Sequence, residues 1–215
     1  ILIDPDTLYD HIDDPGKDWY VSAFYYNDKH LKQFKKTNTV KGITDTLTDK
    51  IIFDFDSKSN PEQARADTIT LVDRLKNQGI KESNIEVYFS GNKGMHVSIT
   101  VNRLLTPQQV EALAIAKYGK DLQTLDKSIY NPSRIIRVPG TKHQETNAYK
   151  IPLTINELKN SSIEQIKRKA VSLDNVTEEF RWEKISPNED FFTVPAQEQP
   201  KQRTKVETPK DIKEA

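Results

Sequence analysis

Ile51-Ile52-Phe53-Asp54-Phe55-Asp56-Ser57 is the stretch from which the fold follows. Three apolar residues run uninterrupted into an alternating Asp-Phe-Asp, the pattern of a central strand covered on both faces. Residues two apart in a strand share a face, roughly 6 to 7 Å from one another. Asp54 and Asp56 therefore lie on one side, with Phe53 and Phe55 on the other. The phenylalanine face packs, and the carboxylate face is free to hold cations. A lone D-x-D is more often a solvated face, or a turn opening at Asp56-Ser57. Here the apolar lead-in argues otherwise, because a carboxylate at the end of a buried strand is costly unless something neutralises it. A divalent ion does so directly.

Downstream, residues 85–101 (IEVYFSGNKGMHVSITV) read as a strand, a glycine-bounded turn and a second strand. Met95, Val97, Ile99 and Val101 alternate with His96, Ser98 and Thr100, so His96 points away from the packing side. Gly91 and Gly94 permit positive φ and close backbone approach. Successive N–H groups of such a loop can form a concavity that suits an anion. Ser90, Lys93 and His96 cluster around it and shift the balance from a plain solvated hairpin toward phosphate binding.

A third segment, residues 124–143 (TLDKSIYNPSRIIRVPGTKH), joins another acid to a dense set of cations. Asp126 follows a short apolar approach. Arg134 and Arg137 flank Ile135-Ile136, so a strand here would put the isoleucines on the core while Arg137 emerges beside the Pro139-Gly140 turn. Arg134 is as well explained by an ion pair with Asp126 or Asp121 as by a substrate role. For Lys142 and His143 a solvated loop is the default reading, and only their closeness to Arg137 raises them as binding candidates.

Taken together, these segments resemble the archaeo-eukaryotic primase superfamily, in particular the primase-polymerase domains of bacteriophages and plasmids. The resemblance covers about residues 15 to 170. The superfamily's hydrophobic strand ending in D-x-D is matched by Asp54 and Asp56. Its glycine loop of the form S-x5-H is matched by Ser90, Gly91, Gly94 and His96, and its hydrophobic-Asp motif by Leu125-Asp126. An arginine strand that meets the incoming nucleotide in related phage enzymes is matched by Arg137 through His143. Each motif is weak alone; their order and spacing carry the likeness.

The resemblance implies a template-directed nucleotidyltransferase, a DNA primase and/or DNA polymerase acting in DNA replication. Single-stranded DNA would be the template and nucleoside triphosphates the substrates. Such transfer uses two divalent ions roughly 3.5 to 4 Å apart, for which Asp54, Asp56 and Asp126 would be both metal ligands and catalytic residues. Oxygen ligands without sulfur select Mg²⁺ or Mn²⁺. Ser90, Lys93, His96, Arg137, Lys142 and His143 would bind the nucleotide and stabilise developing charge. For His96, phosphate contact is favoured over a general-acid role or a plain strand-face histidine.

Composition bounds the rest. The chain of 215 residues is 35% hydrophobic with mean hydropathy −0.73. No apolar run approaches membrane-spanning length, and the N-terminus does not look secretory, so a cytoplasmic location is expected, the host's if phage-encoded. There is no cysteine, which excludes disulfides and thiolate zinc sites. The zinc element that several primases of this superfamily carry must therefore be absent or zinc-free. Lys plus Arg and Asp plus Glu both number 32, so template contact falls to local patches. Candidates are Lys29, Lys32, Lys35, Lys36 and Lys41, and Lys167-Arg168-Lys169 in a later helix.

The layout is α/β of the α+β kind. Strands are expected at 20–26, 50–56, 85–89, 95–101, around 125 and at 134–138. A helix opens at Asn60-Pro61 and ends at Gly79. A second starts from the Thr106-Pro107-Gln108-Gln109 capping box and stops near Gly119. The β-α-β-β-α-β order is that of a ferredoxin-like or RNA-recognition-like palm. Residues 1–50 would form a small N-terminal α/β module and 51–185 the palm with its following helices, including one from Ser162 to about Ala170. Residues 186–215, rich in proline and polar residues, read as a disordered tail or linker. The resemblance adds the expectation of a helicase domain beyond it. Two other classes fit in part. A haloacid-dehalogenase-like phosphatase shares the strand and D-x-D, but Lys58 stands where it wants Thr or Val and no later paired-acid motif follows. A non-catalytic nucleic-acid-binding palm would have no need of all three aspartates.

Overall fold

A computed structural model of the chain describes residues 5–175 and 184–194. In chain order the strands are β1 (Tyr20–Ser22), β2 (Thr48–Asp56), β3 (Glu86–Phe89), β4 (Gly94–Leu105), β5 (Ile135–Arg137) and β6 (Ile151–Pro152). Four of them form one antiparallel sheet in the order β2-β4-β3-β6, while β1 and β5 make a separate antiparallel pair. The helices are α1 (Asp28–Thr37), α2 (Pro61–Asn77), α3 (Pro107–Ala112), α4 (Ile155–Asn160), α5 (Ile163–Lys169) and α6 (Glu189–Phe192). This is the α+β palm-like class expected.

The sheet is two-sided by sequence period. Ile51, Phe53 and Phe55 of β2 and Met95, Val97, Ile99 and Val101 of β4 are essentially fully buried. They face α2, which contributes Ala64, Leu71, Val72 and Leu75 to the same core. Each fully buried phenylalanine contributes about 1.5–3 kcal/mol relative to exposure. The opposite face carries Lys50, Asp54, Glu86, His96 and Ser98; the Ser98 hydroxyl donates to Glu86 at 2.6 Å. This is the face on which the site lies.

Helix boundaries follow their caps. Asn60 accepts from the Gln63 N–H at 3.1 Å, Pro61 occupies the first turn, and Gly79, at φ +83°, lies just past the end. α3 starts from a Thr106–Gln109 capping box and runs on as a π-helical turn, Leu113–Tyr118. That turn lodges Tyr118 edge-on to Phe53, ring centroids 6.5 Å apart. α5 begins from Ser162 as expected, and α4, which the sequence did not announce, precedes it on a capping box of Thr154 and Glu157.

Three expectations need correction. The strand expected over 20–26 stops at Ser22, whose hydroxyl accepts the Phe24 N–H; Tyr25 makes only an isolated bridge to Leu47. The strand expected around 125 shrinks to a single bridge, Phe55 to Leu125, before Asp126 caps a 3-10 turn, Lys127–Tyr130. The 134–138 strand leaves the main sheet for β1, and β6 takes the outer place beside β3, with Pro152 opposite Tyr88. Because β5 pairs there, Ile135 is 56% exposed and Ile136 half-buried, while Arg137 is the buried member. That is the reverse of the burial expected.

Of the stretch expected to be a tail, residues 186–194 are described, and α6 places Phe191 in the core, where its carbonyl accepts from the Tyr118 hydroxyl at 2.9 Å. Residues 195–215 lie outside the described residues. Among the described residues, no helix is long and apolar enough to cross a membrane.

Candidate active site

The β2–β4 register sets the first contacts. Asp54 pairs with His96 and Asp56 with Gly94, and His96 in turn pairs with Tyr88 of β3. Asp54 Oδ1 lies 3.4 Å from His96 Nε2. The lone bridge at Leu125 brings the third acid in: the Asp126 N–H donates to the Asp54 carbonyl at 2.7 Å, and the Asp56 N–H to the Thr124 carbonyl at 2.9 Å. Three aspartates separated by about 70 residues in the chain thus meet at one end of β2.

Crowding shows in the electrostatics. Burial, then the charges of Asp126 and Asp56, push the Asp54 carboxyl up to about 7, with Lys150 and Arg134 offsetting part of the effect. Burial, Lys150 and Arg137 hold the His96 imidazole well below its ordinary value, so it is neutral. Its Nδ1 is buried without a hydrogen-bond partner.

The acids are otherwise engaged. Both Asp126 oxygens accept from Ser128, one from its N–H (2.8 Å) and one from its hydroxyl (2.7 Å). Asp56 Oδ2 pairs with Lys93 Nζ at 3.3 Å. Among the described residues no three Asp, Glu or His side chains stand in a geometry ready to hold a metal ion. The chemistry of the donors nonetheless suits a hard divalent cation. They are all carboxylate oxygens, and the raised proton affinity of Asp54 comes from burial first and from the neighbouring Asp126 and Asp56 charges second, both of which a cation would counter. A cation would compete with Lys93 for Asp56 and with Ser128 for Asp126.

The glycine loop is built differently from the anion cradle expected. Ser90 Oγ accepts from the N–H groups of Gly94 (3.1 Å) and Asn92 (3.4 Å), so these amides serve the turn itself. Gly91 has φ +91°, and a Cβ there would meet the Ala148 carbonyl at 2.9 Å. Gly94 is needed for close approach, since its Cβ would lie 2.5 Å from the Phe55 carbonyl.

Facing the acids is a basic wall. Arg137 is buried, stacked 4.7 Å from the Tyr20 ring centroid, and donates to the Lys142 carbonyl (3.0 Å) and the Tyr20 hydroxyl (2.5 Å). Beside it His143 Nδ1 accepts from the Glu145 N–H, and its Nε2 lies 3.4 Å from the Asn92 amide nitrogen. Burial and Arg137 lower the pKa of His143. Between the walls is an open cleft of about 190 Å³.

Of the residues expected at the site, Asp54, Asp56, Ser90, Lys93, His96, Arg137 and His143 line this cleft. Asp126 adjoins it through Asp54. Lys142 does not join them: its ammonium lies over the Tyr149 ring, 5.4 Å from the centroid, because its backbone bridges to Tyr149. Arg134 does not ion-pair with Asp126 or Asp121; it donates to the carbonyl and hydroxyl of Ser128, the residue that holds Asp126.

Sequence reasoning missed four contributors. Tyr20 and Asn92 line the cleft, and Ser128 holds Asp126. Lys150 is buried, donates to the Arg137 carbonyl at 2.8 Å and stands 5.0 Å from the Tyr88 ring centroid. Burial pulls its pKa down to about 7, against the pull of Asp54. The signal for Lys150 was a lone lysine abutting the apolar Ile151-Pro152-Leu153.

No protein-family model matches the chain, and no curated protein does. Among solved structures, the polymerase domain from Mycobacterium tuberculosis Ligase D in complex with DNA is similar at TM-score 0.43 and 18% identity, over 60% of this chain and 54% of that chain. The match spans about half the length of that domain and is a distant likeness.

Proposed function

We propose that the cleft is the catalytic centre of a template-directed nucleotidyltransferase, a DNA primase and/or polymerase that adds nucleoside triphosphates along single-stranded DNA. The observation that carries this is the Asp126 N–H bond to the Asp54 carbonyl, which sets a third acid beside the Asp54/Asp56 face of β2 and opposite Arg137, Lys93 and His143.

Asp54, Asp56 and Asp126 would hold two divalent ions, Mg²⁺ or Mn²⁺. When bound, such ions lower the pKa of an attacking hydroxyl and neutralise the leaving phosphates. The protein's own share lies on the other wall. Arg137, immobilised by Lys142 and Tyr20, offers a planar donor set suited to phosphate. Lys93, released from Asp56, and His143 add donors at the loop. His96, neutral, presents Nε2 to a carboxylate or phosphate oxygen without bringing a charge of its own. Ser90 shapes the turn that carries Lys93.

Primer-extension and de novo synthesis assays on single-stranded templates with Mn²⁺ or Mg²⁺ test this. Synthesis by the parent and its loss in Asp54→Ala and Asp56→Ala is the expected result. DNA binding without synthesis in the parent would assign a non-catalytic nucleic-acid-binding palm. Phosphate-monoester turnover with the same mutational sensitivity would favour a phosphatase.

A further inference from the structure

The segment that delivers Asp126 is weakly attached to the sheet: one bridge and two backbone hydrogen bonds join it to β2. A strand so short does not hold its register by pairing alone. Beyond it the Tyr130 hydroxyl donates to the Ile52 carbonyl of β2 at 3.1 Å, and the hold nearest Asp126 on the other side comes from α2. Asp67, in the middle of that helix, is buried, and its Oδ2 accepts from both the N–H and the hydroxyl of Thr124, each at 2.8 Å. Its Oδ1 accepts from the Gln63 side-chain amide at 2.9 Å. Two helical turns further, Arg74 donates to the carbonyls of Tyr118 (2.7 Å) and Lys120 (2.6 Å), holding the start of the same loop.

We infer that Asp67 is a positioning residue for the site: by clamping Thr124 to α2 it fixes Asp126 beside Asp54. The load path is short. Thr124 is tied to Asp67 through its N–H and hydroxyl, and its carbonyl receives the Asp56 N–H; two residues on, the Asp126 N–H reaches the Asp54 carbonyl. A buried carboxylate is expensive unless hydrogen-bonded. This one spends its acceptor capacity on a loop residue rather than on a cation, which suits a clamp. Asp67 does not line the cleft and touches no reacting group.

The inference rests on the nucleotidyltransferase reading only for its consequence, and the experiment separates the two. Amide hydrogen exchange at Asp126 reports the clamp whatever the protein does, and Mn²⁺ titration reports the acid cluster. Asp67→Ala is expected to lower Asp126 amide protection at least tenfold and to weaken Mn²⁺ binding by roughly 10–100-fold, the usual effect of losing a group that orients a ligand. Asp67→Asn should restore most of both, because its Oδ1 can accept from Thr124 while Gln63 turns its amide to suit. Thr124→Val, which removes one of the two bonds and keeps the amide, should give a few-fold loss and serves if Asp67→Ala does not fold. Unchanged Asp126 protection in the folded variants would overturn the clamp. A parent that binds no Mn²⁺ would sink the metal reading and leave the exchange result to decide the clamp.

Discussion

Asp54 and His96 face each other across β2 and β4 with Oδ1 and Nε2 3.4 Å apart, and both are displaced toward their neutral forms. The contact is therefore no ion pair. Burial penalises each charge; Asp126 and Asp56 further discourage the carboxylate, with Lys150 and Arg134 offsetting part of that, and Lys150 and Arg137 discourage the imidazolium.

The Asp54 shift has a measurable sign. Its folded-state pKa of about 7 exceeds the ordinary 3.8, so between these values the folded protein holds a proton that the unfolded chain has released. Stability falls with rising pH through that window, by up to about 1.4 kcal/mol per pH unit, and then levels off. Asp54→Asn removes the effect. Urea melts with a chelator from pH 4 to 8 should show the variant gaining on the parent up to about pH 7. His96 acts oppositely, costing stability on acidification below its ordinary value, but does so in both proteins. Parallel curves would refute the assignment of the proton to Asp54.

Arg137 acts through shape as much as charge. Lysine in its place keeps the charge but cannot span the Lys142 carbonyl, the Tyr20 hydroxyl and a phosphate together. Arg137→Lys should raise the KM for nucleotide roughly tenfold with a smaller change in kcat. Tyr20→Phe, which loses one acceptor and keeps the stacked ring, should cost about 1 kcal/mol. Steady-state extension kinetics at varied nucleotide concentration measure both; an unaltered KM in Arg137→Lys would remove Arg137 from the nucleotide site.

Template contact is expected along α1. Lys32, Lys35 and Lys36 are exposed and, among the described residues, have no ion-pair partner, whereas Lys29 pairs with Asp45 at 3.3 Å. Lys29, Lys32 and Lys36 flank a shallow groove. Just before the α1 cap, the Tyr26 hydroxyl donates to the Pro132 carbonyl at 2.7 Å, tying the approach to α1 to the loop between Asp126 and β5. Lys32→Gln with Lys36→Gln should weaken single-stranded DNA binding and flatten the slope of log K against log salt by about 1.4, two phosphate contacts' worth. Fluorescence anisotropy over a salt series decides it; an unchanged slope takes α1 off the DNA path.

Gly94→Ala should destabilise the fold by about 1–3 kcal/mol, because its Cβ would press on the Phe55 carbonyl rather than on a flexible side chain. The strands must part where Asp56 pairs with Gly94, so divalent-ion affinity should drop with the urea midpoint. A variant as stable as the parent would show that the β2–β4 pairing tolerates widening there.

Much of this was legible in the residues. β2 and β4 could be read because two-residue alternation separates Phe53 and Phe55 from Asp54 and Asp56, and Met95 and Val97 from His96. The α2 and α3 starts were written in Asn60-Pro61 and Thr106-Pro107. What could not be read is set by tertiary contact. The destination of β5 depends on a three-residue pairing with Tyr20–Ser22, too short to leave a period, so the burial of Ile135 and Arg137 came out reversed. The aim of Lys142 depends on Tyr149, and the hold on Asp126 depends on Asp67, whose place in α2 looks like any polar helical position. Lys150 hides because lysine beside an apolar strand ordinarily reaches for water.

Pro152 has an effect beyond its own short strand. It brings no N–H to the outer rim of the sheet, while at the opposite rim the Thr124–Asp126 segment already occupies the hydrogen-bonding groups at the end of β2. Open rims invite neighbouring chains to add on, and proline is a common guard against it. With one side blunted and the other partly covered, self-association by strand addition is discouraged.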